Sequence, residues 1–177
     1  MRRIPLALIL GAILTLSATV SRAASPTPVP DMKPNFSSMA FFLGTWNCHS
    51  VVRGAHRSDT AVNTMTYDGH WMQTHDTAPP FDKYRTRTIT TDTWQTYNSA
   101  LRMWVSTFVD DFGDYGTSTS PGWRGNTITF TTVLASDGSS GYDTLTKLSA
   151  TRTTDTFWGK DKSGKAMSPI TTICVKS

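Results

Sequence analysis

The feature that most constrains the fold is a succession of short segments in which apolar and polar residues alternate, with a turn signal after most of them. Alternation with a period of two predicts β-strands. The turn signals include Asp68-Gly69, Asn98-Ser99, Asp137-Gly138 and Ser163-Gly164, which are dipeptides typical of hairpins. Strands joined by tight turns run antiparallel, because parallel neighbours need long crossovers. The predicted strands are 44–53, 60–67, 70–77, 85–97, 101–109, 114–119, 126–134, 143–152, 155–160 and 168–176.

The composition also favours an all-β chain. All 13 acidic residues are aspartate, and the sequence contains no glutamate. Glutamate favours helices, whereas aspartate and threonine favour turns and strands. One short helical turn is predicted between Asn35, which can cap it, and Gly44, which can end it.

The N-terminus has the pattern of a signal peptide. Two arginines precede an apolar run from Ile4 to about Val20 and a small-residue cleavage site, so residues 1–23 predict a leader. Cleavage after Ala23 and cleavage after Ala24 remain alternatives. Four prolines in residues 24–34 predict an extended linker, and residues 35–177 then form one domain. We expect an exported protein, periplasmic or extracellular, whose mature chain does not insert stably into a membrane.

The charge of the mature chain excludes some classes of partner. Removal of Arg2, Arg3 and Arg22 leaves 14 of the 17 basic residues against 13 acidic ones, so the net charge falls from +4 to +1. No basic tract or stripe remains. We therefore expect no nucleic-acid partner.

Residues 35–46 carry a recognisable motif. They read N-F-x(5)-F-L-G-T-W, which resembles the opening of lipocalins and the wider calycin superfamily, and more closely of exported bacterial lipocalin-like domains of unknown function. The resemblance implies an antiparallel up-and-down β-barrel of about 8–10 strands. It also implies that Gly44 leads from a closing helical turn into the first strand and that Trp46 forms the barrel floor. In the family a basic residue covers this tryptophan, and we assign that role to Arg152.

The two cysteines predict a disulfide in an exported chain, with free buried thiols as the alternative. In a closed meander the first strand neighbours the last, so Cys48 can meet Cys174. However, Cys48 shares the face of Trp46, whereas Cys174 alternates with apolar neighbours and is expected to face outward. A bulge, a different orientation of Trp46 and free thiols remain open.

Polar residues on both faces of residues 85–98 indicate an interior that accepts polar side chains. The next predicted strand, 101–109, has apolar residues on both faces, so its outer face needs a cover. The short helical turn and a second subunit, which would make a homodimer, are the alternatives. Seven residues are candidates for the cavity lining, because they combine aromatic surface with hydrogen-bonding groups. They are Trp71, Gln73, His75, Arg85, Arg87, Tyr97 and Trp104.

Cofactor chemistry has little support in the sequence. His70 and His75 are five residues apart and face opposite sides of a strand, so no metal site is expected. The calycin group includes haem-binding barrels whose ligating histidine lies near the C-terminus, but here no histidine follows His75. We expect no cofactor.

We predict an exported barrel that binds a small amphiphilic or hydrophobic molecule of unknown identity. The alternatives are a protein-binding or inhibitor module with a filled barrel, and an enzyme that uses aspartate and histidine in the cavity.

Overall fold

A computed structural model describes residues 33–177, so the predicted signal peptide and residues 24–32 of the predicted linker lie outside the described residues. No helix in the described part is long and apolar enough to cross a membrane. Short 3-10 turns cover Ala40–Phe42 and Tyr67–Gly69. The strands are β1 Gly44–Val52, β2 Ala55–Thr66, β3 Trp71–Ala78, β4 Ile89–Asn98, β5 Met103–Asp110, β6 Tyr115–Ser120, β7 Trp123–Arg124, β8 Thr127–Ala135, β9 Ser140–Ser149, β10 Arg152–Lys160 and β11 Ile170–Lys176.

The strands close into an antiparallel barrel. Their order is β6-β5-β4-β3-β2-β1-β11-β10-β9-β8, and β6 pairs with β8 to complete the ring. The two-residue β7 is attached to one end of β8. The predicted all-β, lipocalin-like barrel is therefore confirmed, with ten strands in the wall.

Some strand boundaries differ from the prediction. Strand β2 begins at Ala55 and not at residue 60, because Arg53 and Gly54 form the turn with φ angles of 51° and 81°. Positive φ at both central residues is the geometry of a type I′ hairpin turn. An arginine at the first position is a weak signal for that turn, since Asn, Asp and Gly are the residues usually found there.

The Ala40–Phe42 turn closes one end of the barrel, which we call the floor; the opposite end is the mouth. Gly44 has a φ of +104°, a conformation that glycine adopts without the steric strain of a side chain. Trp46 is only 2% exposed, and its indole Nε1–H donates a hydrogen bond to the Phe42 carbonyl oxygen over 2.7 Å. The turn and the first strand are thus joined as the motif implies.

The apolar core is concentrated at the floor. Met39, Phe42, Trp104, Ile128 and Phe130 are buried there in one cluster with Trp46. On β8, Ile128 and Phe130 point inward. On the outer surface, Val133 is 60% exposed.

A disulfide joins the first strand to the last. Cys48 and Cys174 are direct partners in the β1–β11 register, with their Cα atoms 4.0 Å apart. No bulge is needed, and Trp46 keeps its inward orientation. The expectation that Cys174 faces outward is wrong, because its neighbours Ile173 and Val175 are the outward residues, 37% and 45% exposed. Apolar character therefore does not mark the inner face of β11.

Candidate functional site

The described side chains leave a cavity of about 600 Å³ inside the barrel. Its lower part is apolar and includes Phe42, Trp46 and Met72. Higher up, the wall is mostly polar. A volume of this size suits a small organic molecule. The uncharged polar residues of the wall include Asn63, Thr74, Thr91, Thr93, Gln95, Ser106, Ser118, Thr132, Thr153 and Thr172.

One wall carries an arginine and two aspartates, which we call the β2–β3 cluster. Arg57 and Asp59 lie on the inner face of β2, and Asp76 lies on the inner face of β3. The Arg57 Nη2 group donates to Asp59 Oδ2 over 3.0 Å and to Asp76 Oδ1 over 3.1 Å. Burial, together with the nearby Asp59, raises the pKa of Asp76 to about 7, although Arg57 acts to lower it.

A second pair of aspartates, the β9–β10 pair, faces the same cavity. Asp143 is opposite Phe157, and Asp155 is opposite Leu145, so the two carboxyl groups are diagonal neighbours across adjacent strands. Burial raises the pKa of Asp143 to about 7, and the charge of Asp155 adds to this effect. Burial also raises the pKa of Asp155 to about 6, against a lowering by the Thr156 backbone N–H. No cationic side chain of residues 33–177 offsets these shifts.

Several buried polar atoms of the wall have no hydrogen-bond partner among the described residues. They are Arg57 Nε, Asp59 Oδ1, Gln95 Oε1 and Asp155 Oδ1. A buried polar atom without a partner costs about 1 to 3 kcal/mol. Three of these four atoms are acceptors, so the wall is best complemented by a molecule that donates hydrogen bonds.

The loop of residues 79–88 lies at the mouth and is held at several points. Desolvation by its surroundings is the largest single effect on the pKa of Asp82 and acts to raise it. Arg53, whose Nη2 is 2.6 Å from Asp82 Oδ2, and the backbone N–H groups of Tyr84 and Arg85 together outweigh it, so the pKa of this carboxyl is lowered. Arg85 pairs with Asp114 over 3.3 Å. Arg87 pairs with an aspartate of the β5–β6 turn, and both guanidinium groups lie over the Phe112 ring. The loop thus forms an ordered rim.

The seven candidate lining residues divide into three groups. Trp71, Gln73 and His75 lie on the outer face of β3, because Met72, Thr74 and Asp76 occupy the inner face. Gln73 Nε2 and His75 Nδ1 contact Asp92 Oδ1 over 3.0 and 2.9 Å on the outside. Their predicted place in the cavity wall is wrong, since alternation alone does not tell which face of a mixed strand points inward.

The other four candidates are near the ends of the cavity. Arg85 and Arg87 belong to the rim described above. Tyr97 and Trp104 point inward but pack into the core beneath the cavity, with ring centroids 5.6 Å apart. The structure therefore does not bring the seven together.

The covering of Trp46 also differs from the expectation. Arg152 is exposed and lies opposite the outward-facing Val175. Lys176 instead places its ammonium 5.5 Å from the Trp46 ring centroid and donates to the Phe41 carbonyl oxygen over 3.1 Å. The assignment of the floor cation to Arg152 is wrong, because its register places it on the outer face.

The geometry bears on the two alternative functions. Large side chains of the described part do not fill the barrel, which counts against the filled-barrel module. His49, His56, His70 and His75 are all absent from the cavity wall, so no aspartate–histidine pair converges there. Within residues 33–177, no group of three or more metal-ligating side chains is assembled.

Sequence reasoning missed the charged residues of the wall. Arg57 and Asp59 precede the predicted start of the second strand. The face that they share with Ala61 and Asn63 was therefore not recognised. Asp143 shares a strand face with Leu145, and Asp155 shares one with Phe157, because each pair is two residues apart. An aspartate on the apolar face of a strand is the signal that would have found the β9–β10 pair.

Comparisons with known proteins bear on the fold. No family model matches the chain, and no curated protein matches it in sequence. Among solved structures, the S-type phycobiliprotein lyase CPES from Guillardia theta matches with a TM-score of 0.55 and 10% identity, over 79% of this chain and 92% of that one. This likeness supports the barrel fold alone.

Two further structures match less well. EF1p2_mFAP2b bound to DFHBI has a TM-score of 0.44 and 12% identity, over 78% of this chain and 96% of that one. A protein of unknown function of the DUF3598 family from Nostoc punctiforme has a TM-score of 0.22 and 9% identity, over 82% of this chain and 100% of that one.

Proposed function

We propose that this protein is an exported barrel that binds a small amphiphilic molecule non-covalently in its interior. The observation that carries the proposal is the cavity of about 600 Å³, which combines an apolar floor with a polar wall that holds buried, unpartnered polar atoms. A purely hydrophobic ligand is disfavoured, since it would leave those atoms without hydrogen bonds.

Each part of the cavity has a separate role in this proposal. The floor around Trp46 and Met72 buries the apolar part of the ligand, which contributes roughly 25 cal/mol per Å². The polar wall orients the ligand, because hydrogen bonds depend on direction whereas apolar burial does not.

Export and family membership are part of the same proposal. The leader-like residues 1–23 and the buried Cys48–Cys174 disulfide support an oxidising, exported location. The motif of residues 35–46 and the lipocalin-like barrel support a place among the exported bacterial lipocalin-like domains. The homodimer remains a prediction.

Native mass spectrometry of protein purified from its own host tests interior binding. Ser118 is a small residue of the cavity wall, so Ser118→Trp fills part of the cavity. Thr60 is exposed on the outer face of β2, so Thr60→Trp is the matched control. We expect a small-molecule adduct on the wild type and on the control, with much lower occupancy on Ser118→Trp. An adduct that persists equally in both variants, or no adduct on any form, would count against the proposal.

A further inference from the structure

We infer that the ligand carries a protonated amine, and that this cation binds between the Asp143 and Asp155 carboxyl groups of the β9–β10 pair. The inference rests on the proposed interior binding and specifies the chemistry of the ligand. Both side chains line the cavity, and the Asp155 Oδ1 atom is fully buried without a partner among the described residues. An ammonium group supplies the donors and the charge that this pair lacks.

The opposite wall of the same barrel holds an acidic cluster that contains its own cation. There, Arg57 donates to both Asp59 and Asp76. Asp59 is only 8% exposed, yet its Oδ1 atom also lacks a partner. Even in the wall that contains it, the Arg57 guanidinium therefore leaves an acceptor without a hydrogen bond.

The charge of the whole cavity favours a cation. Seven aspartates and one arginine line it. Three of the aspartates, Asp110, Asp114 and Asp137, lie towards the mouth. Asp114 is paired with Arg85 at the rim, so the excess of negative charge lies inside the cavity, where it favours a cationic ligand.

The residues around Asp143 suit an organic ammonium ion. Phe130 on β8 and Phe157 on β10 are both register partners of Asp143. Aromatic faces attract cations and also pack against the carbon atoms of an amine. The other charged groups of the cavity wall are those of the β2–β3 cluster across the cavity and the three aspartates towards the mouth. Lys147, on the same strand nearer the floor, is directed to the Phe41 ring, 4.3 Å from its centroid.

The raised pKa values of the pair give the binding a pH dependence. Both carboxyl groups bind protons up to a pH of about 6 to 7 in the ligand-free protein. A bound ammonium stabilises their ionised forms and so displaces protons. Amine affinity should therefore rise between pH 5 and pH 8, with proton release on binding.

Isothermal titration calorimetry with three probes of the same carbon skeleton tests the inference. The probes are 4-phenylbutylamine, 4-phenylbutan-1-ol and 4-phenylbutyrate, which are cationic, neutral and anionic. At pH 7.5 we expect the amine to bind at least tenfold more tightly than the alcohol, and the carboxylate to bind most weakly. In Asp143→Asn/Asp155→Asn, amine affinity should fall at least tenfold while alcohol affinity changes less than threefold.

Asp68→Asn is the matched control, because Asp68 is exposed at an outer turn and has a φ of 54°, which asparagine tolerates. It should keep the full preference for the amine. Equal affinities for amine and alcohol, or a preference that survives the double substitution, would overturn the cation while leaving interior binding in place. Failure of all three probes to bind would overturn both proposals.

Discussion

Two walls of the barrel each hold a pair of aspartates, but only one wall also contains a cation that offsets their negative charge. The β2–β3 cluster contains its own cation, Arg57, whereas the β9–β10 pair has none among the described residues. Strands β1 and β11 separate the two walls and are joined by the disulfide. The difference indicates that the charge of the first wall is offset largely within the protein, whereas the second wall has the acceptors that the proposed ammonium ligand would occupy.

The largest expected effect concerns the covalent link between the walls. Cys48→Ala/Cys174→Ala opens a loop with a sequence separation of 126 residues. In the chain-entropy model, a link across a loop of this length contributes about 4 to 5 kcal/mol. Urea denaturation should show a loss of this order, and a reducing agent should destabilise the wild type but not the variant. If reduction leaves the wild-type midpoint unchanged, the seam is held by hydrogen bonds and packing alone.

The next prediction breaks the compensated wall. Arg57→Ala leaves Asp59 and Asp76 buried without their cation, which should cost about 3 kcal/mol at pH 8. The cost should be smaller at pH 5, because Asp76, whose pKa is raised to about 7, is then protonated. Arg152→Ala is the control, since Arg152 is exposed and should change the free energy of unfolding by less than about 0.5 kcal/mol. Equal losses at both pH values would contradict this account.

The third prediction concerns the uncompensated wall and has the opposite sign. The pKa values of Asp143 and Asp155 in the folded protein lie above their ordinary value of 3.8. The stability linked to these groups is therefore fully present below about pH 4 and is lost as the pH rises through about 6 to 7. Asp143→Asn/Asp155→Asn should raise the free energy of unfolding at pH 8 by on the order of 2 kcal/mol.

The free energy of unfolding, measured by denaturation at pH values from 4 to 8, tests this prediction. The double variant should show a flatter pH profile than the wild type, although Asp76 leaves a residual slope of the same sign. A loss of stability at pH 8 would mean that the pair is compensated within the protein.

The smallest effect is expected at the floor, where the cation lies over an aromatic ring. Lys176→Ala removes the ammonium over Trp46 and its bond to the Phe41 carbonyl, which should cost about 1 kcal/mol. Arg152→Ala again serves as the control. Thermal unfolding and tryptophan fluorescence would measure the difference, and a larger effect of Arg152→Ala would restore the family-based assignment.

The local patterns predicted the elements well but not the orientation of every face. Residues 85–98 indicated a polar interior, and Thr91 and Gln95 do line the cavity. On β3, however, the aromatic and amide residues Trp71 and Gln73 are outside. Both faces of β3 carry mixed polarity, so hydrophobicity could not distinguish them.

Charged side chains of the wall were the hardest to predict. Arg57 interacts with Asp76 on the next strand, so the reason for its burial lies outside its own segment. Sequence spacing shows which residues share a face, but it does not show which faces meet across a barrel.

The sequence by itself determined the all-β class and the order of the strands, because alternation and turn chemistry act over a few residues. The resemblance of residues 35–46 implied the Gly44–Trp46 floor. The sequence also supplied the two cysteines. Only the tertiary structure decided that Cys174 faces inward, that Lys176 covers Trp46 and that Asp143 and Asp155 meet in the cavity. Those relations depend on strand register and barrel closure, which bring together residues that are distant in the chain.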